Sequence, residues 1–353
     1  WTMEKKSIGK KPKTGIKAAE KMQTQVRIQM FEELKNKKIL FITTKNLDYL
    51  RNTQEIRQLK EKTDFLSVIG TKDKSYPIRL LKVYSRILTM SCKKYDAVFV
   101  GFAPQLIVPV FKWKFKKSKL YIDFFISMYD TLAFDRKKFK PKSIFGKMLA
   151  RIDRMTLKAA DGIIADTQAH AQYFSEELGA DSGKTQVMYL EADHSIYYPH
   201  KVEKPAEAEG KYTVLYFGSI LPLQGVDIVL EAAEILKDRE DICFYIIGPI
   251  GEKMVKPSGT NIHYIQWLNQ DKLSDYIAFS DLCLAGHFNK EINKAKRTIP
   301  GKAYIYQAMG KPMILGENPA NHELYSEKDP GIIFVEMGSG RKLAEKILES
   351  AEK

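Results

Sequence analysis

Two stretches of this chain have residue types and spacing suited to holding an anion. From Val214 to Leu236 (VLYFGSILPLQGVDIVLEAAEIL) an apolar run reaches Gly218 and a short loop. Gly225 then opens a run with Val229, Ala232, Ala233 and Leu236 at helical spacing. Glycine lets backbone approach a phosphate, and the free N–H groups of a helix start supply positive potential. From Lys294 to Leu315 (KAKRTIPGKAYIYQAMGKPMIL) a second helix is expected to start near Pro300 and end at Gly310. Lys296 and Arg297 stand just before that start and Lys302 just inside it. Cations there suit a diphosphate, or they are simply solvated loop charges.

Other residues offer acid–base chemistry. Asp123 follows a strand-like run, and Asp130 lies a few residues on. A carboxylate there can bind a hydroxyl or take its proton, and it can equally cap a turn. His170 sits after Asp166 and Thr167, where strand meets helix; a plain helix-start residue is the alternative. The other histidines, at 194, 200, 263, 287 and 322, form no HxH or HExxH pattern, and no Asp-x-Asp occurs. No metal site is expected. Cys92, Cys243 and Cys283 lie far apart, which fits a reducing, cytoplasmic setting.

The elements that must position these groups follow one rhythm. Short β-rich runs at 39–43, 65–69, 97–101, 120–124, 163–166 and 186–189 alternate with helical stretches. A polar segment at 199–211 carries two prolines and reads as a linker. Runs at 213–217, 242–247, 262–265, 282–285, 313–315 and 332–335 then resume the pattern. This is the signature of α/β architecture with parallel sheets and crossover helices. The expected organisation is a basic leader at 1–38, one Rossmann-like domain at 39–200 and a second at 201–353. In the leader, Ile16, Ala19, Met22, Val26, Met30 and Leu34 recur at helical spacing. Two such sheets imply a cleft, with ligands beyond the carboxyl ends of the strands.

The charge is divided unevenly. Residues 1–200 carry 38 Lys and Arg against 21 Asp and Glu, whereas residues 201–353 carry 19 against 22. The excess of the first half suggests an anionic partner. No zinc-finger, RNP-like or helix-turn-helix pattern points to nucleic acid. The most apolar stretch, 97–111, is short and broken by Pro104 and Pro109, so no membrane span is expected. Lys147, Arg151, Arg154 and Lys158 should share one helix face, opposite Ile144, Met148, Ile152 and Met155. With residues 112–119 (KWKFKKSK), where Trp113 or Phe115 could insert, they suit an anionic membrane surface or a solvated face.

Taken together, the two anion-binding stretches resemble the donor half of family-4 glycosyltransferases, which combine a strand, a glycine loop and a later "P-x-K … AMGKP" helix. The segment at 321–325 (NHELY) fits the same pattern. In the first half, DFFISMYDTLAFD, DRMTLKAADGIIADT, HAQYF and EADHSIYYP look like one branch of that family with an IPLQG-like loop. The resemblance covers roughly 38–353. It implies a GT-B fold whose last helix can cross back to the first domain. It also implies retaining, metal-independent transfer of a sugar from a nucleotide-sugar, with no separate cofactor. The acceptor would be a glycan or polyprenyl-linked molecule in polysaccharide or glycoconjugate synthesis, at a cytoplasmic membrane face.

By the same resemblance, Gly218, Ser219, Gln224, Gly225, Lys296, Arg297, Thr298, Ile299 and Lys302 would face the donor. Asp123 and Asp130 would serve the acceptor or the transferred sugar, while His170 is a catalytic candidate only from its place where strand meets helix. The departures are specific. The family's diphosphate-binding Arg and Lys correspond to Ser219 and Gln224, and its two glutamates correspond to Arg297 and Ile305. An isoleucine cannot accept a ribose hydroxyl. Either Lys296, Arg297 and Lys302 supply the lost charge, or the chain is a catalytically inactive binding or scaffold relative.

Overall fold

The computed structural model describes residues 29–219, 221–252 and 254–352. Two six-stranded, fully parallel sheets form the frame. The first has the order β2-β1-β3-β4-β5-β6, with β1 Ile39–Ile42, β2 Leu66–Ile69, β3 Ala97–Val100, β4 Lys119–Asp123, β5 Gly162–Ala165 and β6 Thr185–Val187. The second has the order β12-β11-β10-β7-β8-β9. Its strands are β7 Tyr212–Phe217, β8 Ile242–Ile247, β9 Ile262–Ile265, β10 Leu282–Gly286, β11 Met313–Gly316 and β12 Ile332–Val335. The central strands read ILFI, AVFV and ICFYII because both faces of a parallel sheet are covered.

Alternation along each strand sorts the cores. Leu40, Ile42, Val98 and Val100 face the helices Tyr76–Thr89, Val108–Phe111, Ile144–Ala159 and Gln168–Leu178 through Val83, Phe111, Leu157 and Phe174. Ile39, Phe41 and Phe99 face the opposite way, against Met30, Phe31, Leu34 and Leu59. The end of the expected leader helix, Gln29–Glu33, is thus docked on the first sheet, and the Met30 N–H donates to Gln186 Oε1 at 3.0 Å. The rest of that expectation, Ile16 to Val26, lies outside the described residues.

Three expectations are corrected. The final helix, Gly340–Ala351, does not cross to the first domain. Leu343, Ala344 and Ile347 pack on Val229, Ala232 and Ala233 of the second, and the Gly340 N–H donates to Glu231. In the helix Ile144–Ala159, the inward face is Leu149, Ala150, Asp153, Thr156 and Leu157, while Ile144, Met148 and Met155 are exposed beside the cations. Sequence periodicity misassigned this face because apolar residues occur on both sides of the helix. Phe115 is buried in the first core and is not available for insertion, whereas Trp113 is exposed.

Candidate functional site

The glycine loop is built by close backbone approach. At the end of β8, Gly248 has φ +124°, and a Cβ there would lie 1.9 Å from the Gly218 carbonyl oxygen. Gly225 has φ +68° and abuts Phe288 and Asn289. A side chain at either position would push the loop away from the strand ends.

Under this loop lies Lys302, on the first turn of the helix Gly301–Ala308. Its Nζ is 3.8 Å from the centre of the Tyr216 ring and donates to Gln224 Oε1 at 3.2 Å. The Tyr216 hydroxyl donates to the same oxygen at 3.0 Å, and Gln224 Nε2 donates to Ser219 Oγ at 3.3 Å. Lys302 is buried, and burial pushes its amine well below the usual lysine range. Among the described residues it makes no ion pair with a carboxylate. His287, at the end of β10, faces the same region beside Thr298. Burial, with the Lys302 charge nearby, lowers it to about 3, so it is neutral. The helix start has no side-chain cap, which leaves first-turn N–H groups for a ligand.

The turn Asn293–Lys296 packs both on Pro222–Gln224 and on Asp130–Asp135 of the first domain. Arg297 follows it and spans the cleft. Nη2 contacts Asp130 Oδ2 at 2.8 Å, and the guanidinium lies 3.7 Å above the Tyr173 ring. The Arg297 carbonyl accepts from Thr167, and Lys294 Nζ donates to Thr131 at 3.1 Å. Glu323 forms a second interdomain tie: its carboxylate accepts the N–H groups of Gln168 and Ala169, both at 2.7 Å, and the Tyr189 hydroxyl at 2.8 Å. A carboxylate at a helix N-terminus is favourably placed for the helix dipole.

The acid–base candidates separate. Asp123 is fully buried, with both oxygens taken by Arg51 at 2.9 and 2.8 Å, so in this geometry it is a structural ion pair. Glu55 is buried beside it, with its carboxyl group turned toward that of Asp123. Burial and the neighbouring Asp123 raise its pKa well above the usual carboxylate range. His170 is also fully buried, with Nδ1 2.7 Å from Asp166 Oδ1 and its ring against Phe174. It orients a carboxylate and does not itself face the cleft. Asp166 is the exposed member of this pair, with its side chain 21% exposed. Burial opposes its ionisation, but His170 and Arg51 hold it below the usual range. Sequence reading passed over Asp166, although the Asp166-to-His170 helical spacing was visible.

Lys302, Ser219, Gln224 and Gly218 are therefore brought together, with Arg297 and Thr298 on the cleft side. Lys296 is exposed, and the Ile299 side chain is buried in the second core, so only the Ile299 backbone is available to a donor. Ile305 packs against the same core.

Two parallel-sheet domains with this topology and a cleft between them form a GT-B fold. Residues 211–353 match the family described as Glycosyl transferases group 1. The fold is thus of the GT-B class, and the family match lies within the second domain. No curated protein matches the chain. Among solved structures it is similar to HepE of Anabaena in complex with UDP, at 15% identity and TM-score 0.61, covering 89% of this chain and 90% of that one. Sucrose-phosphate synthase of Thermosynechococcus elongatus is similar at 12% identity and TM-score 0.62, covering 88% of each chain. A glycosyltransferase of Rickettsia africae is similar at 16% identity and TM-score 0.57, covering 89% and 88%.

Proposed function

We propose that the chain is a retaining, metal-independent glycosyltransferase that takes its sugar from a nucleotide-sugar. The observation that carries this reading is Lys302. A buried lysine amine with no carboxylate partner among the described residues, directly under a glycine loop, is placed to gain a proton and a favourable charge when an anion binds. Lys302 supplies from the helix below the charge that Ser219 and Gln224 do not supply from the loop. Gly218, Ser219 and the helix start at Gly301 would hold the diphosphate; HepE, similar in fold, is known in complex with UDP. The cleft would act by positioning and by stabilising charge on the leaving diphosphate. On the first-domain side, Asp166, oriented by His170, would meet an acceptor hydroxyl. The acceptor would be a glycan or lipid-linked molecule, at a cytoplasmic membrane face.

A second reading, a nucleotide-binding relative without transfer activity, is favoured by the Arg297–Asp130 pair across the cleft and by Ile305 in the core. A thermal-shift screen of nucleoside diphosphates tests the shared part: saturation at 100 times Kd should stabilise by about 2.7 kcal/mol. No shift with any of them removes both readings. A shift without sugar release from any matching nucleotide-sugar leaves the second.

A further inference from the structure

The outer side of the first domain carries a surface outside the cleft. Three segments lie side by side on one face of its sheet. The helix Tyr76–Thr89 exposes Ile78, Leu81 and Leu88, with Leu81 71% exposed. The segment 108–114 exposes Val110 and Trp113, the latter 58% exposed. The helix Ile144–Ala159 exposes Ile144, Phe145, Met148 and Met155, and Ile144 is 85% exposed. Their adjacency is direct. The Tyr84 and Phe111 rings meet at 4.8 Å, Lys114 Nζ donates to the Leu88 carbonyl at 2.7 Å, and Val108–Phe111 packs on Ile144–Ala159.

Cations are interleaved with these apolar groups. Between 136 and 160 there are nine Lys and Arg and one carboxylate, Asp153. All nine cations are exposed, while Asp153 is buried and bound by Ser127 and Gln105. Residues 112–119 add five lysines and no acid. Among the described residues Asp73 pairs with Lys82 at one edge, and Arg154 reaches the carbonyl of exposed Glu177 at the other.

We propose that this face docks on an anionic phospholipid bilayer. Isolated exposed apolar side chains on convex helices, each flanked by lysine or arginine, match the headgroup boundary of a membrane: apolar tips enter the acyl region and long cationic side chains reach the phosphates. A protein or nucleic-acid partner would be served by a groove or by a polar surface, and these residues form neither. The placement also fits the cleft. In a parallel sheet each helix begins near the carboxyl edge of the preceding strand, so Ile78, Ile144 and Phe145 lie toward the cleft edge. The segment Asp130–Asp135, which carries the Arg297 contact, includes exposed Phe134 and runs on to exposed Phe139. A bilayer on this face would lie beside the cleft mouth and could present a lipid-linked acceptor to it. That last step rests on the transferase reading; the docking itself does not.

Co-sedimentation of the full chain tests the proposal, using phosphatidylcholine vesicles and vesicles containing phosphatidylglycerol. Binding should require phosphatidylglycerol and weaken between ~0.1 M and ~1 M salt, as the Debye length falls from ~10 Å to ~3 Å. The variant Lys147→Glu/Arg151→Glu/Arg154→Glu should lose roughly tenfold or more in partitioning. Ile144→Ser/Phe145→Ser should remove the salt-resistant remainder. Both variants change exposed side chains and should keep the wild-type melting temperature and nucleoside diphosphate binding. Equal binding to both vesicles, no binding, or wild-type binding by the charge-reversed variant overturns the proposal; the last outcome would assign attraction to another basic segment. Vesicle binding without nucleotide binding would remove the transferase reading and leave the docking surface standing.

Discussion

Arg297 and Asp130 join the two domains across the cleft, with Nη2 2.8 Å from Oδ2 and both side chains largely buried, at 17% and 3% exposed. The resemblance to family-4 enzymes puts a glutamate at position 297, and here a cation meets a carboxylate from the other domain. Removing one partner strands the other charge. Arg297→Ala should therefore destabilise by about 3 kcal/mol, and the double change with Asp130→Ala should recover part of that. A double-mutant cycle in denaturant measures the coupling; a value near zero would mean the pair does not join the domains.

Lys302 should be the main cation for a bound diphosphate. Lys302→Met should weaken nucleoside diphosphate binding by about 1.5–3 kcal/mol, roughly ten- to a hundredfold or more. Its amine is lowered by burial in the free protein, and an adjacent diphosphate would raise it. Binding should then take up a proton, and affinity should fall as pH rises above the free-protein pKa. Titration calorimetry in buffers of different ionisation enthalpy reads that proton. Undiminished binding by Lys302→Met would sink the donor assignment.

Glu55 gives a stability signature of known sign. Its folded pKa is raised above the ordinary 4.5 by burial and by Asp123. The favourable contribution is thus complete below the unfolded pKa and is lost as pH rises through the folded one. Glu55→Gln keeps the shape without the charge, so it should raise the melting temperature at pH 7 and change little near pH 4. An equal effect at both values would show that Glu55 is not held protonated.

Glu323 should be needed for domain registry. Glu323→Gln retains one acceptor oxygen and loses the charge at the helix start, with an expected cost of about 1–2 kcal/mol. Small-angle scattering should show a more open average shape. An unchanged profile together with unchanged stability would remove the clamp role.

All twelve strands lie within two residues of the positions expected from hydrophobic runs and turn residues. Parallel strands buried on both faces are locally apolar, and their borders carry glycine, proline and polar residues, so short-range information suffices. The same holds for the Gly218 loop and the helix after Pro300, where a first-turn position and the family resemblance together brought Lys302 forward as a candidate. What the tertiary structure decided was which of several similar residues faces what. Asp123 and Asp166 both stand at strand ends, yet Arg51, from a helix 72 positions before Asp123, fills one, and His170 leaves the other open. Arg297 could not be paired from sequence, because Asp130 lies 167 residues away in the other domain. The outward turn of Ile144 and Phe145 was hidden for the same reason. With apolar residues on two sides of one helix, its inner face depends on the shape of the sheet beneath, and that shape is set by residues far along the chain.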